Sequence, residues 1–390
     1  MSLTHGLVSP RTPLRLFLDR ELTAGVRRLR QTYRGQLPAG PLILPGDGVG
    51  FEAGTVGTAI DQRLRLSFTC VPSLDAATFL GWDNCRAAAG VRGRDNLAGV
   101  LAEVGEQLIQ RLTDTVTRMQ LDDRNQPMLR AEDEEEDLAR MLIAAAWYAL
   151  NYRNPFAFPD TPLVKAAVTA PATFTFDRLL AVPHRHLVDD LLAQLHAAQN
   201  SALERLRLAS QPEACASGST FDGSSDLAAD ADLIIEGTLV DIKSTRRVHN
   251  FPLPTVYQLL GYTLMDYSDR YRIDAVGIYL SRAGTLITWP LEDYLALLGA
   301  RRRDLGELRD VFARLLKYEG CRADDEPLPE QAEGVNRLLD GLVAPLPDGC
   351  CEVCAQPLPE QVGAHRRRRY CSSFCRQRSF VLRRRGWLNP

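Results

Sequence analysis

Lysine is almost missing from this chain. Lys and Arg together number 46, yet the only lysines are Lys165, Lys243 and Lys317. A run of 18 apolar residues is missing too, which excludes a recognisable transmembrane helix. The opening residues Met1 to His5 lack the basic-then-apolar layout of a secretory signal, so the expected location is the cytoplasm. Net charge is also small, at −3. Charge on the whole chain therefore does not point to a polyanionic partner, and its distribution has to be read instead. The 9 cysteines are not spread like a disulfide framework, because five of them fall between Cys350 and Cys375. The length of 390 residues, 45% of them hydrophobic, suits an ordinary globular protein of two or three domains.

Asp230 to Lys243 is the stretch with the strongest pattern. Two apolar runs, Leu233 to Ile235 and Leu239 to Ile242, flank Glu236-Gly237. Short β-branched runs around such a pair predict a two-residue hairpin. Ile235 then faces Thr238, Ile234 faces Leu239, Leu233 faces Val240, and Asp232 faces Asp241. Opposed side chains have Cβ atoms about 5 Å apart, and like charges there repel. Two carboxylates meeting in this way call for a cation. Alternation along the strand places Lys243 on the face of Asp241 and turns Ile242 to the other side. In a chain that writes nearly every cation as Arg, a retained Lys suggests work for a compact ammonium whose pKa responds to burial. The plainer alternative is a solvated Asp-x-Lys pair at a strand end.

A helix is expected over 254–268, and Gln258 and Tyr262 share one face of it at i,i+4. An acid on one strand, acid-x-Lys on the next and then Gln-x-x-x-Tyr on a helix resembles the PD-(D/E)xK nuclease superfamily, in its RecB-like branch. No Pro precedes Asp232. The resemblance covers about 90 residues well. It implies a restriction-endonuclease-like αβββαβ core in which Asp232 and Asp241 hold Mg²⁺ or Mn²⁺. The carbonyl of Ile242 would be a third ligand, Lys243 would orient or deprotonate a water, and Gln258 and Tyr262 would position the strand. Gly57-Thr-Ala-Ile-Asp61 followed by Leu64 is similar to the branch's opening motif, Gly-Thr-x-x-His-x-x-Leu. Asp61 stands where that motif has His, and an oxygen donor suits Mg²⁺ or Mn²⁺. The alternative for Asp61 is an ordinary acid in a helix capped by Thr58. Glu204 is the substitute should Asp61 not serve.

Elsewhere the chain reads as follows. Apolar spacing predicts one amphipathic helix over 12–36 with a basic face. The acidic run Glu132 to Asp137 suits a helix N-terminus better than a metal site. Helices over 96–119, 137–153 and 185–209 make 96–210 a large helical insertion. Strands are expected at 213–221, 231–236, 238–245, 273–281 and 285–290, with Tyr279 and Trp289 packing in or beside the sheet. One further helix over 291–318 contains Arg301 to Arg303, and 319–349 reads as a linker with a short helix. At the C-terminus, Cys351-x-x-Cys354 and Cys371-x-x-x-Cys375 fit a tetrahedral four-thiolate zinc site. Cys350 is the alternative to Cys351. Paired spacing favours zinc over an iron–sulfur cluster, which some RecB-like nucleases hold, and leaves Cys70, Cys85, Cys215 and Cys321 as core thiols. From Arg366 onward nine arginines occur without an acid, which suits a phosphate-binding arm.

The expected architecture is therefore α/β. Residues 1–95 open the nuclease core, 96–210 are the insertion, 211–318 complete the core, 319–349 link, and 350–390 form a zinc ribbon with an Arg-rich tail. The expected function is a Mg²⁺- or Mn²⁺-dependent deoxyribonuclease, by analogy in foreign-DNA defence or repair. The alternative is a catalytically inactive DNA-binding module on the same fold. DNA is the expected partner, with RNA, protein partners and a homo-oligomer left open and no membrane.

Overall fold

A computed structural model describes residues 2–22, 26–92, 97–346, 348–353, 357–359 and 368–384. The N-terminal part is helical: α1 Leu3–Val8, α2 Pro13–Glu21, α3 Val26–Gly35, α4 Ala53–Leu66 and α5 Ala76–Arg92. Further helices occupy most of 97–209: α6 Leu97–Met119, α7 Glu132–Arg153, α8 Pro162–Thr169, α9 Phe176–Ala181, α10 Arg185–Gln199 and α11 Ala202–Ala209. Three strands follow, β1 Cys215–Ser219, β2 Ala231–Ile235 and β3 Thr238–Lys243. Then come α12 Leu253–Met265, β4 Ala275–Leu280, β5 Thr285–Pro290, α13 Leu291–Leu298, α14 Leu305–Leu316, α15 Ala332–Leu342 and α16 Ser373–Arg384.

The five strands form one mixed sheet in the order β1-β2-β3-β4-β5. β1, β2 and β3 run as an antiparallel meander. β4 lies parallel to β3, with α12 as the crossover, and β5 closes the edge antiparallel to β4. Parallel neighbours need such a crossover, whereas a tight turn suffices for β2 and β3.

The sheet divides two apolar cores. Leu233, Ile235, Val240 and Ile242 join a cluster with Ile60 of α4, Leu142 of α7 and Leu191 of α10. Ile234, Leu239, Val276 and Ile278 join the other, with Leu7 of α1, Leu260 of α12 and Tyr294 of α13. Alternation in β2 and β3 thus has its physical cause: each strand is buried on both faces, so successive side chains enter different cores. Tyr279 and Trp289 are buried packing residues.

Three expected helices are each divided. Over 185–209, Asn200 ends α10 and Ser201 caps α11 by accepting from the Leu203 N–H at 3.0 Å. Over 12–36, Leu22 leaves helical geometry at φ −110° and ψ 73° and forms a bridge with Ala300, so α2 and α3 are separate. Over 291–318, Gly299 takes a left-handed φ of 66° and ends α13, and Asp304 caps α14 by accepting from the Glu307 N–H at 2.8 Å. Arg301 and Arg302 lie between the two helices and donate through their backbone N–H groups to Glu21. α15 is not a free linker helix, since Val335, Leu339 and Leu342 are buried in the second core.

Candidate active site

The hairpin turn takes positive φ at both central residues, 45° at Glu236 and 85° at Gly237. That is the I′ geometry whose twist matches flanking strands. It sets the expected register: Leu233 pairs with Val240, Ile234 with Leu239 and Ile235 with Thr238. The paired register ends at Leu233 and Val240, one step short of Asp232 and Asp241. The ladder changes there, because Asp232 Oδ2 accepts the Ile242 N–H at 2.7 Å. This bond uses the Ile242 N–H, a different atom from the carbonyl expected as a metal ligand.

Asp241 is 1% exposed. Lys243 Nζ lies 2.8 Å from Asp241 Oδ1 and 2.7 Å from Oδ2. Burial pushes the Asp241 carboxyl up to about 6, with the Lys243 ammonium opposing and the Asp232 charge adding to the rise. Burial would depress Lys243, but Asp241, Asp232 and then Asp61 hold it above the ordinary lysine range. The Lys243 side chain keeps 33% of its surface open, so solvent tempers the cost of that burial. Held in this way, it carries a positive charge beside the two acids.

α12 brings the other expected pair to the same place. Gln258 Nε2 donates to Tyr262 Oη at 2.6 Å, and Tyr262 stacks on Phe221 at 5.9 Å. Burial, then the charges of Asp241 and Asp232, hold the Tyr262 hydroxyl well above its usual range.

Asp61 comes from α4. The helix begins at Ala53, so Thr58 lies inside it and caps nothing. Asp61 Oδ2 lies 2.8 Å from Arg65, whose guanidinium also reaches Asp75 at 3.3 Å. Burial raises the Asp61 carboxyl well above the ordinary range; Arg65 opposes this, and Asp232 and Asp75 add to it. Arg63, two residues on, anchors the helix to α7: its Nε donates to Glu135 Oε2 at 2.8 Å, with both side chains buried. Glu135 belongs to the acidic run 132–137, which opens α7 and provides this partner. Glu204, the substitute for Asp61, is paired with Arg207 at 2.6 Å.

A buried network holds the end of β3. Ser244 Oγ and Ser281 Oγ donate to Gln194 Oε1 at 2.8 and 2.7 Å. Gln194 Nε2 donates to Asp190 Oδ1 at 3.2 Å, and Arg282 grips both oxygens of Asp190 at 2.8 Å. Sequence reasoning missed this network together with Arg65 and Asp75. Only the i,i+4 spacing of Asp61 and Arg65 was a readable signal.

One oxygen tests the fit to a hard cation. Asp61 Oδ1 is buried and lacks a hydrogen-bond partner, whereas Asp241 Oδ2 is held by the Lys243 ammonium at 2.7 Å. An unpartnered buried carboxylate oxygen, with Asp232 and Asp241 alongside, is the donor type that Mg²⁺ and Mn²⁺ take. The acids nevertheless stand further apart than the thiols do. Among the described residues, Cys351, Cys371 and Cys375 are the one group of three ligand atoms within 4.8 Å of one another.

The thiol group can hold a metal such as zinc. Cys351 and Cys375 are buried with Val353, and Tyr370 and Leu358 pack against them. Cys375 sits in the first turn of α16, with Sγ 3.6 Å from that of Cys371. Cys354, the expected fourth ligand, lies outside the described residues. Cys350 is not in the group; it forms a β-bridge with Pro357. Arg369 and Arg383 of the tail bind Glu352 and so are engaged within this unit. Arg366, Arg367 and Arg385 lie outside the described residues.

Among the described residues, no helix is long and apolar enough to cross a membrane. No protein-family model, curated protein or solved structure matches this chain.

Proposed function

We propose that this chain is a metal-dependent nuclease of the PD-(D/E)xK type, hydrolysing phosphodiester bonds in DNA. One observation carries the reading: at the open end of the hairpin Lys243 lies 2.7 Å from Asp241, Asp232 accepts the Ile242 N–H at 2.7 Å between them, and Tyr262 of α12, bonded to Gln258, feels the charge of both acids. The order α4, three antiparallel strands, α12 and then β4 agrees with the αβββαβ core that the resemblance implies. Asp61, on the opening helix, bears on Asp232 as that resemblance expects.

Asp232, Asp241 and the Ile242 carbonyl would hold Mg²⁺ or Mn²⁺, with Asp61 completing the set. A bound ion of this kind supplies positive charge for a phosphate and acidity for a water. Lys243 keeps its proton on Nζ and would offer positive charge, from its place against Asp241, to the charge that develops on the phosphate. Gln258 spends one amide hydrogen on Tyr262, which leaves the Tyr262 O–H to donate to the strand. The expected product carries a 5′-phosphate.

A second reading, an inactive DNA-binding module, draws on the closed Lys243–Asp241 pair and on the thiols as the tightest ligand group. One assay separates the two. Purified chain is incubated with Mg²⁺ or Mn²⁺ and with single- and double-stranded DNA. The nuclease reading expects cleavage that Lys243→Ala lowers at least about 10²-fold while binding is kept. A wild-type chain that cuts neither substrate with either ion leaves the binding module as the better account.

A further inference from the structure

We propose that α3, the loop 244–252 and α16 form one electropositive track for the phosphodiester backbone of DNA, leading away from Lys243. It rests on the nuclease reading only for where the track begins.

Three segments far apart in sequence carry no Asp or Glu at all: 22–46, 242–265 and 361–390. The fold brings described parts of all three together. The Arg27 guanidinium of α3 lies over the Phe374 ring of α16, 4.6 Å from its centroid. Arg30 Nε donates to the Phe251 carbonyl at 2.8 Å, and Tyr33 stacks on Phe251 at 4.5 Å. The loop that follows Lys243 thus rests on α3, and α3 meets α16.

The arginines along this path point to solvent. Arg27, Arg28 and Arg34 of α3 are exposed, as are Arg246 and Arg247 of the loop. Arg376, Arg378 and Arg384 of α16 are exposed as well. None of these has an ion-pair partner among the described residues, unlike Arg369 and Arg383, which Glu352 engages. Surface arginine without local acid is the electrostatic footprint of a polyanion. Helices of 10 and 12 residues extend about 15 and 18 Å, further than a single phosphate requires.

This gives the thiol group a task. Cys375 lies in the first turn of α16, so a metal on Cys351, Cys371 and Cys375 would fix the helix that carries three of the eight arginines. The C-terminal unit is then a clamp on the substrate and not a detached appendage.

Binding to a duplex of about 30 base pairs is measured against salt between about 50 and 200 mM, without added Mg²⁺ or Mn²⁺. Two triple variants of the full chain are compared with wild type: Arg27→Ala/Arg28→Ala/Arg34→Ala and Arg376→Ala/Arg378→Ala/Arg384→Ala. Each is expected to flatten the slope of log K against log salt by about 1 for every phosphate that arginine no longer neutralises. Phe374→Ala is expected to weaken binding while taking up as much added zinc as wild type. Melting curves establish that each variant is folded. Wild type that does not bind DNA at low salt would overturn the proposal. So would unchanged slopes, or a flattening confined to one of the two triple variants. Cleavage does not enter the readout. A chain that binds along this path and cuts nothing therefore keeps the track and loses the nuclease reading.

Discussion

Lys243 and Asp241 hold each other in a way that ties their protonation to the ion proposed for the site. With Asp241 buried and the Asp232 charge adding to the effect, the Asp241 carboxyl rises to about 6, so protons compete for the oxygen that a metal would use. Its folded value lies above the ordinary aspartate value of about 3.9. The folded chain therefore binds the extra proton between those limits. This group's contribution to stability is present at low pH and is lost as pH rises through about 6. A bound cation reverses that trend by stabilising the charged form. The rise in melting temperature on adding Mn²⁺ is thus expected to be larger near pH 8 than near pH 5. An equal rise at both pH values would count against Asp241 as a ligand. The scarcity of lysine made Lys243 legible. Arg65 was not legible in the same way, because its role depends on Asp75, which approaches only in the fold.

The β2–β3 hairpin was the most legible element. Its two apolar runs, the Glu-Gly pair and the acid on each strand all favour one register, and a one-residue slip would exchange every side chain between the two cores. Gly237 is the residue on which that turn depends. Its φ of 85° strains any L side chain, and a Cβ there would lie 2.8 Å from the Arg272 carbonyl oxygen. Gly237→Ala is expected to cost roughly 1–3 kcal/mol in urea unfolding; no loss would mean that the turn relaxes to another geometry. Two of the divided helices were illegible for a physical reason. Leu22 and Ala300 meet by tertiary pairing, and the arginines after Gly299 turn to Glu21, far along the chain. Apolar spacing runs straight through both breaks, so periodicity alone predicts continuity.

On the scale of the molecule, the site exists only when distant segments are assembled. Asp61 arrives on α4, the acids and Lys243 on the hairpin, and Gln258 and Tyr262 on α12, with the helices of 97–209 inserted before the sheet. Buried ion pairs fix that assembly: Arg63–Glu135 joins α4 to α7, and Arg282–Asp190 joins the end of β4 to α10. Removing one partner of such a pair leaves an uncompensated buried charge, so both pairs support the site without touching it. No local pattern announces them, since their partners lie 72 and 92 residues apart. The proposed nuclease reaction calls for a divalent cation between Asp232 and Asp241. Calorimetric titration of Mn²⁺ into the full chain with its thiol site already zinc-loaded tests this most directly. Wild type is expected to take up Mn²⁺ saturably and Asp232→Asn to lose that uptake while remaining folded. No uptake by wild type, or equal uptake by both, would contradict it.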